Sequence, residues 1–175
     1  LRPPGELGAA LDALAGAALR LDADTTPAWI ARRLRDAGAK IVAGEDPCRL
    51  PRACKNPTEQ DGARAAHQRD GAALVRFLAW FAAQPRDGSL TELAATTKLL
   101  ALRAEGEHFA SESFPAIAGA GEHGAIIHYR VSPETDRAIH ADEVFLLDSG
   151  AQYRDGTTDV TRTLWTGPGE APPAI

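Results

Sequence analysis

Apolar and polar residues alternate in blocks over the first fifty positions, and each block has the length of a short helix or strand. Residues 6–18 and 28–37 carry apolar side chains at helical spacing, and the second segment ends before Gly38, a residue type common just after helix C-termini. Each segment is followed by a short apolar run, at 19–22 and 40–43, which predicts a strand. This order predicts an α/β layer with parallel strands that is too small to close a sheet alone.

The pattern becomes helical again after a connector at 46–57 that is punctuated by proline. Residues 58–83 place Ala, Leu, Phe and Trp on one broad apolar face, which predicts a long helix. A second helix is predicted over 90–104, because Ser89 and Glu92 have the spacing of a capping box at its start.

From residue 113 onward the pattern changes to strands. The predicted strands are short runs of β-branched or aromatic residues separated by Gly, Pro and Asp, at 114–117, 125–129, 144–147 and 160–165. No internal repeat is visible in this span. The whole chain is therefore predicted to have a mixed α/β fold.

Composition and charge narrow the class of protein. With 44% hydrophobic and 25% charged residues the chain has the composition of a globular protein, and its net charge of −5 gives no basic footprint for nucleic acid. The apolar stretch 7–21 is interrupted by Asp12, so we predict no membrane segment. Cys48 and Cys54 lack the spacing of a redox or zinc site, which predicts reduced thiols. We therefore expect a soluble, cytoplasmic protein with no nucleic-acid or membrane partner.

The sequence has no methionine and opens with Leu-Arg-Pro-Pro. It closes on a loop-like stretch that follows a predicted strand. These features predict that the 175 residues are an internal fragment of a longer chain.

Candidate chemistry lies in the segment that contains Asp148 and Asp159. The two aspartates flank the turn signal Asp155-Gly156, each at the end of a predicted strand. A hairpin centred on Tyr153 and Arg154 would place the two carboxylates almost opposite each other, with Cβ atoms about 4.5–5.5 Å apart. Like charges this close require a cation, and Mn²⁺, Mg²⁺ or Co²⁺ suits paired hard oxygen ligands. The alternative from spacing alone is a pair of exposed turn residues without metal.

The run 148–163, DSGAQYRDGTTDVTRT, resembles the metal-binding hairpin of the Xaa-Pro aminopeptidases (aminopeptidase P). These enzymes belong to the pita-bread metallopeptidase superfamily, together with prolidase, methionine aminopeptidase and creatinase. The resemblance extends to GAIIHY at 124–129, ESFP at 112–115 and KNPTE at 55–59. It implies that residues 1–53 are the end of a creatinase-like domain. Residues 54–175 are then the first half of a pita-bread catalytic domain.

The resemblance also implies roles for individual residues. Asp148 would bind one metal and Asp159 would bridge both metals of a dinuclear centre. The implied metal is manganese, with cobalt or zinc as alternatives, and two cations lower the pKa of bound water toward neutrality. His128 would contact the substrate near the scissile amide and move protons or stabilise the tetrahedral intermediate. Without the resemblance, His128 is interpreted as a hydrogen-bonded histidine at a strand end.

Other residues receive weaker interpretations. Thr161 and Arg162 flank Asp159 and are candidates to contact the metal-binding carboxylates, although no motif assigns them a role. The four remaining histidines are predicted not to be ligands: His67, His108, His123 and His140. One His and two Glu ligands of the implied centre are expected downstream of residue 175, so we expect the fragment alone to be inactive.

For the intact protein the resemblance implies an aminopeptidase that releases the N-terminal residue from peptides with proline second, acting as a homodimer. One alternative is a prolidase-type dipeptidase. The other is a non-catalytic peptide- or protein-binding module on the same scaffold. The presence of both Asp148 and Asp159 argues against a binding-only module, which would need neither.

Overall fold

The computed structural model describes residues 2–173. The chain divides into two compact units, with the boundary between Lys55 and Asn56. Within the described residues, no helix combines the length and the hydropathy that crossing a bilayer requires.

The first unit contains a small parallel sheet flanked by helices. Its strands are β1 (Ala18–Leu21) and β2 (Lys40–Ala43), which pair in parallel as predicted. Its helices are α1 (Leu7–Asp12), α2 (Ala28–Asp36) and α3 (Arg49–Ala53). The first helix is shorter than predicted, since turns follow it up to Gly16, which has a φ of +76°. The third helix lies in the segment predicted to be a connector.

Two helices form one layer of the second unit, α4 (Pro57–Ala82) and α5 (Glu92–Ala104). A capping box starts α4, where Asn56 Oδ1 accepts from the Glu59 N–H at 2.9 Å and Glu59 Oε2 accepts from the Asn56 N–H at 2.8 Å. The capping box predicted for α5 is wrong. Thr91 caps this helix instead of Ser89, because its Oγ1 accepts from the Ala94 N–H at 3.2 Å, and the Glu92 side chain is buried.

Antiparallel strands form the other layer. A three-stranded sheet has the order β4, β6, β7, and a two-stranded sheet pairs β3 with β5. Their bounds are β3 (Asp87–Thr91), β4 (Phe109–Ala120), β5 (Ala138–His140), β6 (Val144–Tyr153) and β7 (Val160–Trp165). The predicted strand 160–165 is confirmed, and 114–117 and 144–147 are parts of longer strands. The sequence pattern did not predict β3 or β5.

The predicted strand 125–129 is wrong. Gly121–Ala125 is a 3₁₀ helix, and an irregular turn follows it. Ile126 and Ile127 are 51% and 86% exposed, so their apolar side chains do not supply the burial that a central strand would gain. The segment forms a loop over the end of β4.

Helices α4 and α5 pack on one face of the large sheet. The buried core includes Phe77 and Phe81 of α4, Leu99 of α5, and Phe145 and Leu147 of β6. Phe81 and Phe145 stack with ring centroids 5.0 Å apart. Because side chains alternate along a strand, burial of Phe145 and Leu147 turns Asp148 to the opposite face.

A buried ion pair connects the two helices to the end of β6. Arg103 Nε and Nη2 donate to Asp70 Oδ1 and Oδ2 at 2.7 and 3.0 Å, and both residues are at least 97% buried. The Tyr153 hydroxyl donates to Asp70 Oδ1 at 3.1 Å. Burial and the neighbouring Asp70 raise the pKa of Tyr153 to about 12, so the phenol remains a donor at neutral pH.

The turn after β6 packs tightly against α4 at Gly62. A Cβ atom added at Gly62 would overlap the carbonyl oxygen of Asp155, whereas one added at Gly71 of the same helix has no neighbour within 4 Å. Helix propensity alone favours Ala over Gly by about 0.8–1 kcal/mol. Overpacking typically costs about 1–3 kcal/mol, so the overlap outweighs propensity at Gly62.

Opposite effects are therefore expected at the two glycines. Gly62→Ala is expected to lower the free energy of unfolding by up to about 2 kcal/mol, from the overpacking cost less the propensity gain. Gly71→Ala is expected to raise it by up to about 1 kcal/mol. Urea unfolding of the two variants measures the difference. A stabilising Gly62→Ala would show that the hairpin turn does not pack on α4 as described.

Candidate functional site

Asp148 and Asp159 lie on the hairpin formed by β6 and β7, but they are not directly opposite. Asp148 pairs with Thr161, and Asp159 immediately precedes β7. The turn spans Tyr153 to Gly156, whose carbonyl accepts from the Tyr153 N–H at 2.8 Å. The predicted turn centre is thus wrong by one residue, and each strand partner shifts by two.

The shift leaves both carboxylates on one face. Beyond β7 the pairing continues, because the Thr158 N–H donates to the Ala151 carbonyl at 2.9 Å. Thr158 is buried and Asp159 is exposed, as the alternation of side chains requires. Asp148 and Asp159 are diagonal cross-strand neighbours, a relation in which residues lie about 7–8 Å apart. That separation suits two oxygen ligands that share a cation between them.

Thr161 orients the carboxylate of Asp148. Its Oγ1 donates to Asp148 Oδ1 at 2.8 Å. Arg162 donates instead to the carbonyl of Thr161 at 2.8 Å. Thr161 was predicted as a candidate partner of the metal-binding carboxylates, and the structure places its hydroxyl on Asp148.

His128 and Asp148 share one pocket on the face of the sheet away from α4 and α5. The pocket has a volume of about 380 Å³ and is lined by Phe114, Pro115, Ile117, His128, Arg130 and Asp148. His128 is exposed and its φ is +56°, an uncommon backbone conformation for a residue with a side chain. Asp159 is not among the lining residues. The apolar wall was not predicted as part of the site, because Phe114 and Ile117 have the hydrophobic pattern of ordinary strand residues, although Phe114 lies in the ESFP run that carries the resemblance.

A close approach of backbone segments brings His128 to this pocket. Ile117 of β4 pairs with Asp148, and the chain then folds back after Ala120. A Cβ atom at Gly119 would lie 2.7 Å from backbone atoms of His123 and Gly124, so only glycine permits this approach. The turn returns the chain so that His128 lines the same pocket as Ile117 and Asp148.

The remaining histidines have other contacts or positions. His67 is exposed on α4 with its Nδ1 2.8 Å from the Ala63 carbonyl oxygen, and His140 lies in β5. His108 has a φ of +64° in the turn before β4. His123 Nδ1 lies 3.0 Å from each carboxylate oxygen of Glu92. Over residues 2–173, no three His, Cys, Asp or Glu side chains form a group that could hold a metal ion.

The donors at the hairpin fit a hard divalent cation. Asp148 and Asp159 supply carboxylate oxygens on a rigid antiparallel hairpin, and such ligands suit Mn²⁺, Mg²⁺ or Co²⁺ better than a thiophilic metal. Two residues supply part of a coordination sphere, and further ligands are needed to complete it. Cys48 and Cys54 belong to the other compact unit and are exposed free thiols.

Among known proteins, relatives of this chain are named aminopeptidase P or Xaa-Pro aminopeptidase P. Aminopeptidase P1 of Arabidopsis thaliana is 40% identical over 149 residues, which are 73% of this chain and 23% of that protein. A protein of Metarhizium acridum named "Probable Xaa-Pro aminopeptidase P" is 44% identical over 141 residues, 79% of this chain and 23% of its own length. The chain thus spans about a quarter of the length of these relatives.

Solved structures show the same fold. The X-prolyl aminopeptidase of Caenorhabditis elegans, described as a cytosolic enzyme with a di-nuclear active site, superposes with a TM-score of 0.81 at 32% identity, over 94% of this chain and 28% of its own. The prolidase of Pyrococcus furiosus superposes with a TM-score of 0.72 over 97% of this chain and 48% of its own. At 19% identity it supports the fold alone. The predicted mixed α/β fold is confirmed.

The sequence pattern of the metallopeptidase family M24 matches residues 61–174. This match contains both hairpin aspartates and His128. It also confirms the resemblance drawn from residues 148–163. The chain belongs to metallopeptidase family M24.

Proposed function

We propose that the full-length protein that carries this chain is a metal-dependent aminopeptidase that releases the N-terminal residue from peptides with proline second. The observation that carries this proposal is the pocket shared by His128 and Asp148, next to the hairpin face that also presents Asp159. Relatives of the same family support the substrate class, since their names specify Xaa-Pro aminopeptidases.

The side chains of the pocket and of the adjacent hairpin would have different roles in the reaction. Asp148 and Asp159 would hold two divalent cations, which supply Lewis acidity and lower the pKa of water when bound. We propose Mn²⁺ for these cations, with Co²⁺ or Zn²⁺ as alternatives. His128 is exposed and lines the pocket, where its imidazole would accept or donate a proton at the scissile amide. Phe114 and Ile117 supply apolar wall against which a proline ring can pack.

Further parts of the proposal concern the whole protein. The cytosolic description of the Caenorhabditis elegans relative supports a cytoplasmic location. The resemblance of the hairpin supports a homodimer. It also supports assignment of residues 1–53 to a creatinase-like domain and of residues 54–175 to the first half of a pita-bread domain.

Peptide length and metal dependence test the proposed activity. After removal of metal by a chelator, the full-length protein is expected to be inactive, and Mn²⁺ is expected to restore release of the first residue from an Xaa-Pro-Xaa tripeptide. Chromatography of the products measures this release. A matched Xaa-Ala-Xaa tripeptide is the control and is expected to be cleaved far more slowly.

Two results would contradict the aminopeptidase. Cleavage of Xaa-Pro dipeptides without cleavage of tripeptides would support a prolidase-type dipeptidase, whose fold is also among the structural neighbours. Binding of the peptide without product under any metal would support the non-catalytic module.

A further inference from the structure

Glu92 is a fully buried carboxylate at the start of α5. Its relative exposure is 0%, and it is the first residue of the helix. Removing a carboxylate from water is costly unless hydrogen-bond donors surround it. The identity and location of those donors therefore indicate what the buried charge stabilises.

The donors that the structure describes at the Glu92 carboxylate all come from one segment, residues 120–129. Glu92 Oε1 accepts from the Ala120 N–H at 2.7 Å, and both carboxylate oxygens lie 3.0 Å from His123 Nδ1. The Tyr129 hydroxyl donates to Glu92 Oε2 at 3.3 Å. The rings of His123 and Tyr129 also pack together, with centroids 4.4 Å apart. One buried carboxylate thus holds the beginning, the middle and the end of the segment.

A second group holds the same peptide from the other side. Arg137 Nη1 donates to the Ala120 carbonyl, and Arg137 Nη2 donates to Glu143 Oε2 at 3.1 Å. The Arg137 carbonyl in turn accepts from the Glu92 N–H at 3.1 Å. The backbone N–H and the carbonyl of Ala120 are therefore both hydrogen-bonded where β4 ends and the chain turns back.

His128 lies inside this held segment, one residue before the buried Tyr129. It is exposed, lines the pocket with Asp148, and has a left-handed φ of +56°. A non-glycine residue keeps such a conformation only when its surroundings enforce it. The Tyr129 N–H donates to the Ile126 carbonyl at 3.1 Å, which closes the turn around His128. Tyr129 is fixed in turn by its hydroxyl contact with Glu92.

We propose that Glu92 is a positioning residue that holds residues 120–129 and thereby fixes His128 in the pocket that it shares with Asp148. The proposal rests on the proposed function, since it assigns Glu92 to the reaction that His128 serves. Glu92 acts without touching the substrate, because it is buried behind the segment. Loss of its charge should displace His128 and leave the hairpin aspartates unchanged, since neither Asp148 nor Asp159 contacts Glu92.

Glu92→Gln in the full-length protein tests this role. The amide keeps the shape of the side chain, but its NH₂ group cannot accept a hydrogen bond from His123 or Tyr129. The expected result is a fall in kcat of about 10- to 100-fold with KM within about threefold, because small misplacement of a reacting group has effects of this size. The Mn²⁺ concentration for half-maximal activation should stay unchanged. Hydrogen exchange of residues 120–129 should become faster.

The matched control is Thr91→Ala, one residue away. It removes the cap hydrogen bond to Ala94 and should lower Tm, but it leaves kcat and the exchange of residues 120–129 unchanged. Tyr129→Phe retains the ring contact with His123 and removes only the hydroxyl, so it gives a smaller fall in kcat. It also serves as the test if Glu92→Gln does not fold.

The possible outcomes are distinct. An unchanged kcat in the variants that fold, or an unchanged exchange rate over residues 120–129, would overturn the proposal. A shift of the Mn²⁺ half-activation point as large as the fall in kcat would also overturn it, because it would place Glu92 in metal binding. If the wild-type protein cleaves no Xaa-Pro peptide, the proposed function fails, and the exchange experiment still decides whether Glu92 holds the segment.

Discussion

Replacing Asp159 by Asn in the full-length protein is expected to abolish Mn²⁺-stimulated cleavage of an Xaa-Pro peptide. Asparagine keeps the size of the side chain but loses the negative charge and one of two oxygen ligands. Substituting a residue that only supports a metal ligand typically costs about 10–100-fold in metal affinity or activity. Loss of a ligand itself is expected to exceed this range. The measurement is the rate of release of the first residue at saturating Mn²⁺.

Two variants of the same hairpin make this result specific. Thr161→Val removes the hydroxyl that donates to Asp148 Oδ1 and should reduce activity by about 10–100-fold, less than Asp159→Asn. Asp155→Asn is the control, because Asp155 lies in the turn and pairs with Arg69 of α4, and it should retain full activity. Activity of Asp159→Asn equal to that of Asp155→Asn would exclude Asp159 as a metal ligand.

The hairpin shows what local sequence can predict and where it fails. Alternation of apolar and polar residues was sufficient to locate 160–165 as a strand, because one face of β7 packs on the core through Val160 and Leu164. The predicted register of the hairpin was wrong because the residues of the turn do not by themselves determine where the turn is centred. It packs against Gly62 of α4, 93 residues before Asp155 in sequence, and local spacing contains no information about that contact.

The segment around His128 shows a second limit. GAIIHY has the composition of a strand, but its isoleucines are exposed and the chain forms a turn. Glu92 matched a capping box by spacing, but its side chain enters the interior and binds residues 120–129. A buried charge and its distant donors are a tertiary arrangement. The resemblance identified His128 as a candidate, and the contacts that hold it became visible only in the structure.

Breaking the Asp70–Arg103 pair is expected to have the largest effect on stability. Arg103→Met replaces the guanidinium by an apolar chain and leaves the Asp70 carboxylate buried with the Tyr153 hydroxyl as its remaining side-chain donor among the contacts described. An unpaired buried charge of this kind costs about 3–5 kcal/mol. Gly62→Ala, by comparison, is expected to cost up to about 2 kcal/mol. Urea unfolding of the full-length protein, followed through the transition of this unit, measures the loss.

A double variant that lacks both charges separates the cost of the unpaired Asp70 carboxylate from the cost of lost packing. Asp70→Leu combined with Arg103→Met should recover part of the loss, because apolar residues often replace a buried ion pair without net cost. Recovery should remain incomplete by about 1–3 kcal/mol, since the buried Tyr153 hydroxyl then lacks the acceptor it has at 3.1 Å in Asp70. Adding Tyr153→Phe should remove that remainder. A double variant as unstable as Arg103→Met would contradict this account, because it would show that lost packing, and not the stranded Asp70 charge, destabilises the protein.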